Sequence, residues 1–359
     1  MADCPEISSL GYDEFGKELL AKAQKERTPL SGTIELTARC NLRCAHCYIN
    51  LPANDANSEK ELTTEELKKI LSEVSVEGCL WLLFTGGEPL LRKDFAEIYV
   101  YAKKRGFFVT VFTNATLIDE KIIEVFKEYP PLSIETTLYG ITPETYEGVT
   151  GVKGSFDRFM NGVDLIISNK LPLKIKSVIM RLNYKEIDEM KKWVESKGKK
   201  FRFDPVLNPR LDGKKGPEGL RLSPEEVARL DFADPQRVAE WKRFSKDFIG
   251  APVNDNLFVC SAGRNSFYID SFGYLNVCVL ARFLDYSLRN GTFKEGYYKF
   301  FPDIINKKVE GRTKCRECRF IALCGQCPGW SNLEFGNKEE PSEYLCKIAN
   351  LRVKGLEFI

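Results

Sequence analysis

Three cysteines fall within eight positions, Cys40-x3-Cys44-x2-Cys47, and an aromatic residue, Tyr48, follows the last directly. Thiolates bind iron–sulfur clusters and zinc alike, so the spacing has to separate the two. Three thiolates on one short loop cap three corners of a [4Fe–4S] cube and leave the fourth iron with an open position, able to bind and act on something else. A zinc site would complete itself with His46 or a distant group, and zinc sites more often pair two short knuckles. Three ligands suit a reactive cluster, where four would close it.

The chain of 359 residues holds twelve cysteines and a single histidine. Cys260 and Cys278 form a pair, and Cys315, Cys318, Cys324, Cys327 and Cys346 crowd the C-terminus. Clustered cysteines with so little histidine favour thiolate-bound clusters over mixed Cys/His zinc. Cys4 and Cys79 stand alone and read as ordinary reduced cysteines. A zinc-ribbon knuckle over 315–327 would leave Cys260, Cys278 and Cys346 unexplained.

The elements that must position these thiols come from alternation. Short β-rich runs, "TIELT" (33–37), "LWLLFT" (80–85), "FFVTVFT" (107–113), "LSIETTL" (132–138), "LKIKSVIM" (173–180) and "KFRFD" (200–204), are separated by amphipathic helical stretches. "LTTEELKKILSEV" opens with a capping box, Thr63 with Glu66, and puts Leu67, Ile70, Leu71 and Val74 on one face. Gly106 is the expected end of the next helix. Six strand–helix units predict an α/β fold with a parallel sheet and right-handed crossovers, too few for a closed eight-stranded barrel. The expected architecture is a partial (β/α)6 TIM-like barrel over 31–250, after an N-terminal segment over 1–30. A small cysteine-rich iron–sulfur domain is expected over 251–359. In such a barrel, functional groups gather where strands end. A Gly/Pro-rich loop (207–227) precedes a helical stretch from Ser223 to about Phe248.

Composition excludes several classes. With 53 basic and 51 acidic residues the formal charge is +2, which gives no case for a nucleic-acid partner. The opening "MADCPEISSLGYDEF" is polar and no run of ~18 apolar residues exists, so neither a signal peptide nor a membrane span is expected. The expected location is the cytoplasm.

The 40–48 loop directly after the first strand resembles that of the radical S-adenosylmethionine (radical SAM) superfamily. Further matches follow in the family's order: Gly86-Gly87-Glu88-Pro89 at the end of the second strand, "FTN" (112–114) at the third, Ser133, Glu135 and Thr137 along the fourth, and Arg181 and Asn183 past the fifth. Glycines at a strand end let the backbone come close to a ligand. The resemblance implies that Tyr48, Gly86, Gly87, Glu88, Asn114, Ser133, Glu135, Arg181 and Asn183 surround S-adenosylmethionine (SAM). It implies reductive cleavage of SAM to methionine and a 5′-deoxyadenosyl radical, which takes hydrogen from a substrate.

The C-terminal cysteines resemble the SPASM extension of that superfamily, which carries two auxiliary [4Fe–4S] clusters, for three in all. The implied wiring gives one cluster Cys315, Cys318, Cys324 and Cys346, and the other Cys260, Cys278 and Cys327. The last short spacing is two residues where the family pattern has three. The sulfatase-maturing branch has an aspartate after the second auxiliary cysteine; here it is Val279, and Asp270 and Asp285 are out of register. Formylglycine formation is therefore not the expected chemistry. Arg264 and Tyr268 on the hairpin, and Asp204, Asn208 and Arg210 past the sixth strand, are candidate substrate contacts, each also readable as a cap or loop salt bridge.

These features imply an enzyme that modifies a ribosomally synthesised precursor peptide by C–H activation, forming a thioether or C–C cross-link. A small-molecule or tetrapyrrole substrate is the alternative within the family. A non-catalytic iron–sulfur carrier is disfavoured by the SAM-contact segments. The implied partners are the peptide, an electron donor such as flavodoxin or ferredoxin, and a separate leader-binding protein, since the first strand starts near residue 33. No nucleic acid and no membrane are expected.

Overall fold

A computed structural model describes residues 12–49, 51–249, 255–311 and 313–357. All six expected strands form: β1 (Ser31–Thr37), β2 (Trp81–Gly86), β3 (Phe108–Phe112), β4 (Ser133–Thr137), β5 (Leu173–Val178) and β6 (Phe201–Asp204). They lie side by side in chain order and every pairing is parallel. Because strand residues alternate between faces, each strand splits into two sets. Ile34, Leu36, Leu82, Phe84, Val109, Val111, Ile134 and Ile175 are all at most 2% exposed and form one hydrophobic core with the covering helices. Burying each such side chain stabilises the fold by about 1.5–3 kcal/mol. The other set, with Thr33, Glu35, Thr37, Thr85, Thr110, Phe112, Glu135, Thr137 and Lys176, is largely polar. A polar inner face leaves the partial barrel hollow.

The helix start signals act as read. Thr63 accepts from the Glu66 amide at 3.2 Å while the Glu66 carboxylate accepts from the Thr63 amide at 2.8 Å. Ser223 and Glu226 repeat this box. The stretch expected to run on to Phe248 is instead two helices, Pro224–Ala233 and Pro235–Phe248. Pro235 cannot continue a helix, and the Asp234 carboxylate caps the next one through the Gln236 amide at 2.8 Å.

Beyond residue 255 come β7 (Ser266–Ile269), β8 (Tyr274–Asn276) and β9 (Tyr286–Ser287). β7 pairs parallel with β1, and β8 and β9 follow antiparallel, giving the order β9-β8-β7-β1-β2-β3-β4-β5-β6. Among the described residues, the cysteine-rich region expected as its own small domain thus builds no separate sheet. Its hairpin occupies the β1 edge, which would otherwise expose unpaired backbone groups. The expected boundary at 250/251 falls outside the described residues, as do Cys4 and the first eleven positions. Among the described residues no helix is long and apolar enough to cross a membrane.

Candidate active site

The cysteine loop leaves β1 at Thr37, and four ties fix its course. A two-residue parallel ladder, Arg39–Cys40 with Leu51–Pro52, closes its base. The Arg43 and Ala45 amides donate to the Thr150 and Val149 carbonyls at 2.8 and 2.9 Å. Asn114 donates to the Asn41 side chain at 2.9 Å. Most of the grip comes from Glu61, buried on the neighbouring segment. Its carboxylate accepts from the Thr37 hydroxyl (2.7 Å), the Ala38 amide (3.0 Å) and the Arg39 guanidinium (3.0 and 3.2 Å). All three partners immediately precede Cys40.

Removing a carboxylate that holds a buried guanidinium costs about 3–5 kcal/mol, and somewhat less here because Arg39 is partly exposed. Glu61→Ala is therefore expected to lower stability by about 2–3 kcal/mol and to deplete iron bound at Cys40, Cys44 and Cys47 ahead of the other cysteines. Denaturant unfolding and iron analysis of the purified variant check this. Unchanged iron retention at that loop would show that Glu61 does not set its geometry.

Cys40 and Cys44 are buried and Cys47 is half-buried. Burial pushes the Cys40 thiol up to about 12, with repulsion from Glu88 and Cys47 adding to it. The Cys44 thiol is pushed up in the same way, with Cys47 and Cys40 adding. Such thiols stay protonated until a cation arrives to hold their thiolates. The same holds for the later cysteines. Burial raises Cys278, with Cys260 adding, and pushes Cys327 to about 11, with Cys278 and Cys260 adding. Cys324 rises to about 12 by burial, beside Cys346, Cys315 and Cys318. The structure thus brings ten cysteines together as 40/44/47, 260/278/327 and 315/318/324/346. Among the described residues no three Cys, His, Asp or Glu side chains converge as a single ion would require. His46 is half-buried, its pKa lowered to about 4 by desolvation, and its ring lies 4.9 Å from that of Tyr139. Groups of three and four thiols without histidine have the donor chemistry that iron–sulfur clusters use.

A cavity of about 280 Å³ opens beside the first loop, lined by Cys40, Cys44, Cys47 and the strand ends. Of the residues implied to surround SAM, it takes in Tyr48, Gly86, Gly87, Asn114 and Glu135; Thr137, Asp204 and Asn208 line it too. The other four lie elsewhere. Glu88 is fully buried and does not face the cavity. Its carboxylate accepts from the Thr113 hydroxyl and the Asn114 amide, both at 2.7 Å, and from the Leu90 amide at 3.1 Å. Burial nonetheless pushes it up to about 7. Glu88 thereby holds the backbone of Asn114, which does line the cavity. Ser133 sits at the start of β4, away from the strand ends, where the parallel order puts the mouth. Asn183 is spent on its own turn, accepting from the Met180 amide (2.8 Å) and donating to the Val178 carbonyl (3.0 Å). Arg181 is exposed. Arg264 and Arg210 also miss the cavities, Arg210 pairing with Asp212 at 2.9 Å.

Several lining residues escaped the sequence reading. Lys176 is set over the Phe112 ring, 3.4 Å from its centroid, and lies 3.4 Å from Glu135; burial lowers its pKa. Tyr139 and Thr85 complete the wall. Charged residues at alternate positions of otherwise apolar strands, as in "TIELT" and "LKIKSV", were the available signal. Ala115, just past Asn114, adopts φ 61°, a left-handed conformation that costs a non-glycine residue about 1 kcal/mol and here shapes the turn carrying Asn114.

A second cavity, about 570 Å³, shares Tyr48, Thr85 and Phe112 with the first. It runs along the barrel interior to Cys260 and Cys278, and Tyr268 lines it as well. Behind Tyr268 lies a buried polar network that no motif announced. The Glu35 carboxylate, fully buried on β1, accepts from the Tyr268 hydroxyl and from Arg282 at 2.5 Å. Arg282 also reaches Asp270 at 3.9 Å, and burial pushes Asp270 up to about 6. The network ties β1 to the hairpin carrying Cys278, so the two cysteine-bearing walls hold one register.

With this geometry in place, comparison with known proteins is informative. The model of the radical SAM superfamily matches residues 34–194. AdoMet-dependent heme synthase of Methanosarcina barkeri is 30% identical over 338 residues, 86% of this chain and 94% of its own. Fe-coproporphyrin III synthase of the same organism is 34% identical over 182 residues, and the match spans only 45% of its length. The antilisterial bacteriocin subtilosin biosynthesis protein AlbA of Bacillus subtilis is 26% identical over 318 residues, 83% of this chain and 67% of that protein. Among solved structures, Streptococcus suis SuiB bound to precursor peptide SuiA superposes with a TM-score of 0.69 at 16% identity, over 96% of this chain and 84% of that one. That likeness gives the fold, a TIM-like partial barrel. The match to the heme synthase over most of both chains, the family model and the cysteine loop at the mouth of that barrel agree: this chain belongs to the radical SAM superfamily.

Proposed function

We propose that this protein is a radical SAM enzyme with a SPASM-type extension and three [4Fe–4S] clusters, and that it cross-links a ribosomally made precursor peptide by C–H activation. Cys40, Cys44 and Cys47 would hold the cluster that binds SAM, and the other two cysteine groups would hold the auxiliary clusters. When bound, the first cluster and SAM supply the radical. The chain's own residues orient SAM in the smaller cavity and seat the substrate in the larger, across Tyr48, Thr85 and Phe112. The partners in this reading are the peptide, a flavodoxin or ferredoxin, and a leader-binding protein, in the cytoplasm.

The carrying observation is the chemistry of the larger cavity. Its described lining includes Thr33, Trp81, Leu83, Phe267, Val277 and Val279, and none of it bears a formal charge at neutral pH. A peptide segment with apolar or aromatic side chains suits such walls. The names of AlbA and of the SuiB–SuiA complex point the same way. A tetrapyrrole is the second reading, favoured by the near full-length match to a heme synthase. Its propionates would need cationic partners that this lining does not offer.

The two readings separate in one experiment. Anaerobically reconstituted protein, given SAM and dithionite, is expected to form 5′-deoxyadenosine. With a candidate precursor peptide it is expected to give a product lighter by two hydrogens. Decarboxylation of Fe-coproporphyrin III with no change in the peptide would overturn the peptide reading.

A further inference from the structure

We infer that Lys174, Lys176 and Arg202 form a carboxylate-binding subsite on the inner wall of the barrel, which holds an aspartate or glutamate side chain of the peptide. This rests on the functional reading above and adds an acidic residue to the substrate it names. Strand pairing puts the three bases together. Lys176 on β5 is registered with Arg202 on β6, so both side chains leave the same face of the sheet, and Lys174, two residues earlier, shares that face. The face is the inner one. Lys176 lines the smaller cavity, whereas Ile175 packs in the core and Ser177 meets Met190 of the helix Ile187–Ser196 behind the sheet.

The charges on this wall do not balance. Glu135, registered with Lys174 from β4, stands 3.4 Å from both lysines, so one carboxylate serves two ammonium groups. Arg202 makes no ion pair or hydrogen bond among the described residues, although a lysine is its partner in the register. Asp204, the next residue on that face of β6, turns nearer the mouth to accept from the Val206 amide at 2.9 Å. Like charges opposed across neighbouring strands repel, so the arrangement costs the free protein stability that an incoming anion restores. A guanidinium fork beside an ammonium suits a carboxylate. The wall also adjoins the larger cavity. The Lys176 ammonium lies 3.4 Å from the centroid of the Phe112 ring, and Phe112 lines both cavities. An acidic residue held here leaves its neighbours in the peptide beside the uncharged lining, which takes their apolar side chains. Lys174 and Arg202 are exposed and β6 is the last strand of the sheet, so the wall can be reached from its side. Neither of these two lines the smaller cavity, which sets them apart from the residues that surround SAM.

The test titrates the reconstituted holoenzyme by calorimetry with a blocked synthetic peptide containing phenylalanine, cysteine and aspartate, and with the same peptide carrying asparagine for aspartate. The acidic peptide is expected to bind about tenfold more tightly, the size of effect that one charge-assisted hydrogen bond gives. The double variant Lys174→Gln/Arg202→Gln is expected to bind the two peptides alike, with SAM affinity and iron content within about twofold of the parent. Lys121→Gln, which neutralises an exposed charge on the helix Glu120–Glu128, is expected to keep the parent's preference. Equal or undetectable binding of the two peptides by the parent overturns the proposal, and so does a double variant that keeps the preference. A double variant that loses SAM affinity overturns it as well, because the bases would then serve the carboxylate of SAM itself. Coproporphyrin III bound more weakly by the double variant than by the parent, with neither peptide bound, would give the subsite to propionates and overturn the peptide as its occupant. If the parent cleaves no SAM with dithionite, the functional reading fails, and the peptide titration still decides the subsite.

Discussion

The protein with Cys40, Cys44 and Cys47 all replaced by alanine is expected to keep about eight of about twelve irons and to form no 5′-deoxyadenosine. The separation of the cysteine groups is the reason. The first three thiols lie on the loop after β1, packed with Leu42, Tyr139 and Val152. Cys324 packs instead with Trp330, Leu345, Ala349 and Val353 in a second small core. Emptying one group leaves the walls of the others in place. Iron and sulfide analysis with electron paramagnetic resonance of the reduced protein reads the outcome. Loss of all iron would mean that the groups fold as one unit. Stoichiometric zinc in the parent would remove the cluster assignment altogether.

Gly87→Ala is expected to cost about 2–4 kcal/mol of stability and to lose SAM binding together with the iron of the first loop. A Cβ at Gly87 would stand 2.3 Å from the Arg39 carbonyl oxygen, and one at Gly86 would stand 2.1 Å from that of Thr37. Both obstacles are backbone, so no side chain can swing aside. Gly86 also has φ 140°, which disfavours any side chain. The Gly87 and Glu88 amides donate to these same two carbonyls at 2.8 and 2.9 Å. The end of β2 is thereby stitched to the residues entering Cys40. The sequence suggested that the glycines make room for a ligand alone, in which case a larger residue would spare the cluster. Contact with the loop's own backbone predicts that cluster and SAM site fail together. Calorimetric SAM titration and iron content of Gly87→Ala distinguish the two, and full iron with weak SAM binding would restore the simpler reading.

The sequence by itself determined the parts that depend on local spacing. Alternation of apolar residues set six parallel strands, and Thr63 and Ser223 with their glutamates marked helix starts. The spacing of Cys40, Cys44 and Cys47 marked a loop with the donors for a cluster, because ligand geometry on one short loop follows from spacing alone. Tertiary structure decided everything that depends on which face of a strand turns inward and on what meets across the sheet. Glu88, Arg181 and Asn183 had the right polar chemistry and strand-end addresses, yet the fold spends or exposes them, and Ser133 is buried at the opposite end of its strand. Lys176, Glu35 and Arg282 carried no motif, and they meet Glu135, Tyr268 and Asp270 only because distant strands pack side by side. A one-residue step along a strand reverses the direction of a side chain, so polarity and order in sequence do not say which residues share a cavity. The hairpin of 266–276 gave the same lesson at larger scale. Its composition announced a cysteine-rich unit, and only the free edge of β1, far earlier in the chain, made it part of the barrel's sheet.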